Sequence, residues 1–131
     1  MTTAERITLD DLDRIVLKHG GHRSRDFDSV CMMEAVAWFA GKPHSDRPPC
    51  VSPVIADLLR SWNDAMSDED RQQLKRLIPI VVGTASTPDI DLKRSYMALD
   101  WYCRVAAPAW LRLVGLTAEA AAIEATASIT D

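Results

Sequence analysis

The sequence predicts an all-α protein, and three patterns carry that prediction. Apolar residues recur three and four positions apart in most segments, as they do on the buried face of an amphipathic helix. Residues that cap helices, and prolines that fit the first helical position, precede several of these segments. Alternating β-branched patterns are nearly absent, with one short candidate strand at 78–82. We therefore expect a compact orthogonal bundle of five or six helices.

The first two helices are predicted from their ends and their apolar residues. The first is expected over 9–18, where Thr8 can cap its start and Gly20 follows its end. The second is expected over about 29–40, and its apolar run is interrupted only by Glu34. Because a helix that is apolar on almost every side is typical of a core, we predict that this helix lies at the centre of the bundle.

The rest of the chain divides into helices at capping residues and prolines. A serine or threonine that can accept the first helical N–H groups precedes each of the main predicted helices. Proline follows two of these caps, at the position where its missing N–H is least costly. The predicted caps are Ser52, Ser67, Thr87 and Thr117, while Pro79 and Pro108 should kink or divide the helices around them.

Length and composition favour one globular domain over 1–131. The chain has 47% hydrophobic and 26% charged residues, a balance that allows a core and is unlike that of disordered chains. The formal net charge of -4 repels a phosphate backbone, so we expect no general nucleic-acid binding. The apolar runs are shorter than the about 20 residues that cross a bilayer. Three cysteines without a secretory start predict reduced thiols and a cytoplasmic location.

Three segments carry a resemblance to other proteins. They are CMMEAVAWFAGKPHSDRPPCVSPVI at 31–55, RQQLKRLIPIVVGTA at 71–85 and ALDWYCRVAAPAWLRLVGL at 98–116. On these segments the chain resembles a group of small helical proteins of actinobacteria and their phages. The Cys-x-x-Glu start and the Ser-Asp-x-Pro loop are the most distinctive parts. The resemblance implies an intracellular setting, but it implies no activity and no catalytic residues.

Two carboxylates, Glu34 and Asp100, stand in otherwise apolar helical segments and would lose hydration on folding. Arg104 follows Asp100 by one helical turn, the spacing of an intrahelical ion pair. Glu34 needs Arg104, Arg76 or a backbone donor from a loop. Either carboxylate could act as a general acid or base, but a satisfied structural group that fixes helix register is the favoured interpretation.

The junction between the second helix and its following loop, at 31–50, is a candidate enzyme site. Cys31 would lie in the first helical turn, where the helix dipole favours a thiolate, with His22 or His44 as its base. The catalytic candidates are therefore Cys31, Glu34, His44 and Asp46. No recognised nucleophile signature surrounds Cys31, so a small buried hydrophobe is the favoured interpretation.

The same junction contains residue types that bind metals, and His44 and Cys50 are its weak metal candidates. The spacing is a poor match to zinc sites, because proline stands where a second thiolate would follow Cys50. The favoured interpretation is a loop in which Ser45 and Asp46 cap backbone N–H groups. We expect no metal or other cofactor.

Most of the four tryptophans are expected in the core. Trp110, beside Pro108, is the exception and a weak candidate for a partner contact. No phosphate loop, nucleotide fingerprint or hydrolase elbow occurs in the sequence. We therefore expect a small protein-binding or regulatory module whose partner is another protein or a second copy. A small Cys/His- or metal-dependent enzyme is the alternative.

Overall fold

The computed structural model describes residues 6–131, and within them the chain forms seven α-helices and no strand. The prediction of an all-α fold is therefore confirmed. Two 3-10 turns cover Asp10–Asp13 and Gln72–Leu77, and a π-helical turn covers Tyr102–Ala106. Among the described residues no helix combines the length and apolar character needed to cross a membrane. The helices are α1 (Met32–Phe39), α2 (Pro53–Ala65), α3 (Asp68–Arg71), α4 (Ile78–Val81), α5 (Pro88–Trp101), α6 (Ala107–Leu113) and α7 (Thr117–Glu124).

The chain divides into two compact units, with the boundary between Ser86 and Thr87. The N-terminal unit contains α1 to α4, and the C-terminal unit contains α5 to α7. The single domain expected over 1–131 stays a prediction.

The core of the N-terminal unit includes α1, in which every residue from 32 to 38 is buried. α2 and α4 both contact it. Burying one large apolar side chain contributes about 1.5–3 kcal/mol relative to leaving it exposed. The cluster of buried apolar side chains in this core is therefore the main apolar contribution to the stability of the unit. Its fully buried members include Ile15, Leu17, Val30, Met32, Met33, Val36 and Ile78.

The first predicted helix, over 9–18, is wrong beyond its first turn. Asp10–Asp13 form a 3-10 turn, but the residues after it run beside the segment that precedes α1. There Leu17 forms an isolated parallel β-bridge with Val30. Ile15 and Leu17 are fully buried while the residues that follow each of them are only partly buried, which is the alternation of an extended chain.

Long-range hydrogen bonds explain why the residues after 13 are extended, although their apolar pattern predicts a helix. Leu9, the first residue of the predicted helix, is exposed. The Leu17 N–H donates to Oε1 of Gln72 at 2.9 Å, and Nε2 of Gln72 donates to the Leu17 carbonyl at 2.9 Å. The amide thus supplies the hydrogen bonds that a helix would otherwise supply. A β-branched residue such as Ile15 also favours extended backbone.

The predicted fourth helix is divided into shorter pieces. Ser67 caps α3 as expected, and its Oγ accepts the Asp70 N–H at 3.1 Å. A 3-10 turn then leads into α4, which contains Pro79 in its first turn. The candidate strand at 78–82 is wrong, because these residues form α4 and its end.

In the C-terminal unit α5, the π-helical turn and α6 form one continuous helical stretch over 88–113. The Ala107 N–H bonds to the Tyr102 carbonyl, five residues earlier. Pro108 follows directly. A proline ring clashes with the carbonyl four residues before it, and a wider turn relieves that clash. Pro108 therefore widens the helix locally and does not divide it as the sequence predicted.

Candidate functional site

Glu34 is a buried carboxylate on α1, and the residue is 2% exposed. Its Oε2 accepts the Cys31 N–H at 2.8 Å and lies 2.8 Å from Nδ1 of His22. Its Oε1 accepts the His22 N–H at 2.6 Å. Burial acts to raise the pKa of Glu34, but these hydrogen bonds and the nearby imidazole outweigh it and hold the pKa below its usual value. Glu34 is therefore ionised at neutral pH, and its donors come from a loop, one of the partners that the sequence left open.

Cys31 is the N-cap of α1 and shares a capping box with Glu34. Its Sγ accepts the Glu34 N–H at 3.4 Å, while the Glu34 carboxylate accepts the Cys31 N–H. Burial raises the pKa of the Cys31 thiol to about 12, and the negative charge of Glu34 adds to the rise. The thiolate considered as a candidate at this helix N-terminus is therefore not supported, because the thiol stays protonated at neutral pH.

Two histidines border the Glu34 carboxylate, and their hydrogen bonds assign their tautomers. A carboxylate only accepts, so Nδ1 of His22 carries a proton. Nε2 of His44 lies 2.7 Å from the His22 carbonyl oxygen, which also only accepts, and 3.7 Å from Oε1 of Glu34. His44 is therefore protonated at Nε2, and within residues 6–131 its buried Nδ1 has no hydrogen-bond partner.

These side chains surround an open pocket of about 390 Å³. Three of the residues predicted for the junction, Glu34, His44 and Asp46, lie together there, whereas Cys31 and Cys50 do not line it. In the part of the chain that the structure describes, no three His, Cys, Asp or Glu residues are arranged to hold a metal ion. The pairing of His44 with Cys50 as metal ligands gains no support. The lining residues are Gly21, His22, Arg23, Glu34, His44, Ser45 and Asp46.

The loop after α1 is held in place by backbone contacts. Oγ of Ser45 accepts the Arg47 N–H at 2.9 Å, which is the capping contact that the sequence predicts for this serine. Arg60 of α2 donates to the Asp46 carbonyl at 2.9 Å. These contacts fix the loop that carries His44 and leave the Asp46 side chain at the pocket.

His22 is the residue of this site that the sequence did not identify as a partner of Glu34. The sequence suggests His22 only as a base for Cys31. Two signals were available. A carboxylate inside an apolar helix requires donors, and Gly20, which adopts φ +76°, allows the chain to turn back toward α1.

A second candidate site is the apolar surface of the C-terminal unit. Trp110 is 59% exposed, and its ring contacts that of Tyr102 edge to face with centroids 5.8 Å apart. Trp101 is also exposed, so its expected place in the core is wrong, whereas Trp38 is buried and Trp62 packs against the N-terminal core. We define the apolar surface as the exposed side chains of Ile90, Leu92, Met97, Leu99, Trp101, Tyr102, Val105, Trp110, Leu113, Val114 and Leu116.

Asp100 and Arg104 tie the C-terminal segment, 126–131, to α5. Nε of Arg104 donates to Oδ1 of Asp100 at 2.8 Å, the ion pair that the spacing predicts. The same Oδ1 accepts the Ile129 N–H at 2.8 Å, and Arg104 donates to the Thr126 carbonyl at 2.7 Å. The hydrogen bonds from Ile129 and Arg104 hold the pKa of Asp100 below its usual value. Both side chains therefore have a structural role at this position.

No protein-family model, curated protein or solved structure matches the chain. The resemblance to small proteins of actinobacteria and their phages therefore stays a prediction.

Proposed function

We propose that this chain is a protein-binding module and that the apolar surface of its C-terminal unit is the contact surface. One observation carries the proposal. Among the described residues, all exposed large apolar side chains except Leu9 and Ile80 belong to the C-terminal unit. Apolar side chains exposed singly are ordinary on proteins, but their concentration in one region is typical of interaction sites.

The composition of the surface fits an interface. Trp110 and Tyr102 are of the residue types that most often dominate binding energy, and they already support each other through their ring contact. Leu113, which is 83% exposed, and Val114 follow at the end of α6. A partner that removes this surface from water gains about 25 cal/mol for each Å² of apolar area buried. The partner is another protein or a second copy of the chain.

Photo-crosslinking tests the proposal directly. In the native cell, p-benzoylphenylalanine in place of Trp110 should form a discrete protein adduct, and the same residue in place of Ile80 should not. Ile80 is the matched control because it is 66% exposed and lies in the N-terminal unit. Leu113→Glu should remove the adduct at position 110 without unfolding the chain. Absence of an adduct at 110, or the same adduct from both positions, would count against the proposal.

A second candidate function is an acid–base site at His22. The observation that favours it is the Glu34 carboxylate on Nδ1 of His22, because a carboxylate in that position orients an imidazole and leaves Nε2 as the base. His22 lines the pocket, and in the neutral form of its imidazole, with Nδ1 protonated, Nε2 is the nitrogen that accepts a proton. The base in this arrangement is the histidine, and Cys31 takes no part.

Ester hydrolysis provides a simple test of that candidate. With p-nitrophenyl acetate, His22→Ala should lower the rate of hydrolysis and His19→Ala should not, since His19 does not line the pocket. Long-range nitrogen–proton NMR spectra should show His22 protonated at Nδ1 and His44 protonated at Nε2. Equal rates for wild type and His22→Ala would remove the acid–base function from consideration.

A further inference from the structure

His22 is held beside Glu34 by all of its hydrogen-bonding groups except one. Its N–H donates to Oε1 of Glu34 at 2.6 Å, and its Nδ1 lies 2.8 Å from Oε2 of the same carboxylate. Its carbonyl oxygen lies 2.7 Å from Nε2 of His44. These contacts fix the main chain and the ring together. Within residues 6–131 no hydrogen bond uses the remaining group, Nε2 of His22.

The neighbouring imidazole of His44 has no nitrogen left to react. Its Nε2 bonds to the His22 carbonyl oxygen, and its Nδ1 is buried. The His22 side chain, in contrast, is 19% exposed and lines the open pocket. Of the two imidazoles beside Glu34, His22 is therefore the one that can present a ring nitrogen to a molecule in the pocket.

The serine and the cysteine of this region are poor nucleophiles. Oγ of Ser45 accepts the Arg47 N–H at 2.9 Å, and in the described part of the chain it has no hydrogen bond to a histidine. A serine hydroxyl needs such a base, because it is a weak nucleophile at its own pKa. Cys31 does not line the pocket, and burial raises the pKa of its thiol. Nε2 of His22 is therefore the strongest nucleophile at the pocket.

We propose that Nε2 of His22 is a nucleophile that accepts an acyl group from an activated acyl compound. The proposal rests on the acid–base function of His22 and assigns a covalent role to the same atom. The Glu34 carboxylate on Nδ1 increases the basicity of the opposite nitrogen, as carboxylates do for histidines that bind metals. Because a neutral imidazole is itself a good leaving group, it displaces only groups that leave as readily. The substrate class is therefore activated esters and thioesters, and amides are excluded.

The transfer has two steps. In the first, the Nε2 lone pair forms a bond to the acyl carbon, and the bond to the leaving group breaks with its electron pair on that group. The Nδ1 proton moves to the Glu34 carboxylate across the 2.8 Å contact and leaves a neutral acylimidazole. In the second, water adds its hydroxyl group to the acyl carbon, and the C–Nε2 bond breaks with its electron pair on the imidazole. Nδ1 recovers its proton from Glu34, and the second proton of water goes to solvent.

Carbethoxylation of the full-length chain with diethyl pyrocarbonate tests the reactivity of Nε2, because this reagent acylates an unprotonated imidazole nitrogen. Mass spectrometry should find His22 modified faster than His19, although His19 is exposed and His22 only partly so. His44 should react slowest of the three. Glu34→Gln should slow the reaction at His22 about tenfold and leave that at His19 unchanged. Circular dichroism checks the fold of this variant, and the order of the three histidines in wild type tests the proposal without it.

Hydrolysis of p-nitrophenyl acetate separates a nucleophile from a general base. A nucleophile should leave an acetyl group on His22 in acid-quenched samples, and the rate should hardly change in deuterium oxide. Slower hydrolysis in deuterium oxide without an acetyl group would show that His22 activates water, so the acid–base function would stand and the nucleophile would not. Carbethoxylation of His19 as fast as that of His22 would also overturn the proposal. Equal hydrolysis by wild type and His22→Ala would instead remove the acid–base function and the nucleophile together.

Discussion

The two units of this chain differ in where they place their large apolar side chains. In the N-terminal unit, α1 buries its methionines and valine completely. In the C-terminal unit α5 has no buried residue, and the buried residues of the whole unit, Ala106, Pro108 and Ala120, are all small. The first unit is thus stabilised by a core of large apolar side chains, while the second leaves its large apolar side chains exposed.

Matched methionine truncations give the largest expected difference between the units. Met33→Ala removes a fully buried side chain and should lower the free energy of unfolding by about 2–5 kcal/mol. Met97→Ala makes the same chemical change at a residue that is 69% exposed, so the effect should stay within about 0.5 kcal/mol. Urea denaturation of both variants measures the two values. Similar losses would contradict the assignment of the core to one unit only.

Matched carboxylate truncations should give the next largest difference. Glu34→Ala leaves the buried N–H groups of His22 and Cys31 without their acceptor and should cost about 2–4 kcal/mol. Asp100→Ala removes an acceptor that solvent can replace, so its effect on global unfolding should be much smaller. Hydrogen exchange should instead show faster exchange at Ile129. A global loss from Asp100→Ala as large as that from Glu34→Ala would argue against this difference.

The pH dependence of stability should depend on Glu34. Its pKa in the folded chain lies below the model-peptide value of 4.5. The ionised carboxylate therefore contributes stability above the unfolded pKa, and that contribution disappears as the pH falls through the folded pKa. The stability difference between wild type and Glu34→Gln should shrink from about pH 6 to about pH 3, because the other carboxylates titrate in both proteins. A difference independent of pH would show that the charge of Glu34 contributes nothing.

Two serine substitutions give the smallest expected effects, and these have opposite signs. Ser67→Ala removes the cap of α3 and should cost about 1 kcal/mol. Ser61→Ala, within α2, replaces a serine that only donates to the Asp57 carbonyl one turn earlier. Alanine is the better helix former there, so stability should rise by up to about 0.5 kcal/mol. Thermal unfolding of both variants measures the two effects, and only the Ser67 variant tests a predicted cap.

The starts of α2 and α3 were predicted correctly, because the signals for these ends lie within a few residues of Ser52 and Ser67. The predicted side-chain cap is found at Ser67, whereas Ser52 takes the N-cap position without a side-chain capping bond. The sequence failed at 15–18, because the extended form of that segment depends on Gln72, which lies far along the chain. The first helix was predicted too long, because the sequence pattern carries no information about the hydrogen bonds to Gln72. The fifth helix was predicted to be divided at Pro108, because the pattern does not reveal the π-helical turn that accommodates this proline.

The candidate site was predictable only in part, for the same reason. Glu34 could be identified as a carboxylate that needs donors, because its apolar neighbours are adjacent in sequence. The donor itself, His22, depends on the return of a loop to α1, which no local pattern encodes. Exposure of Trp101 was also unpredictable, because a periodic apolar pattern identifies a helix face but not whether anything in the chain covers it.

The hydrogen bonds between Leu17 and Gln72 limit how far the extended segment can pair with other molecules. Val16 and Lys18 donate to the carbonyls of Phe27 and Val30 on one edge. On the other edge, Leu17 would present an open N–H and C=O, the kind of template on which aggregates grow by strand addition. The Gln72 side-chain amide satisfies both groups, but it has no backbone on which a further strand could pair. This edge of the extended segment is therefore closed to strand addition.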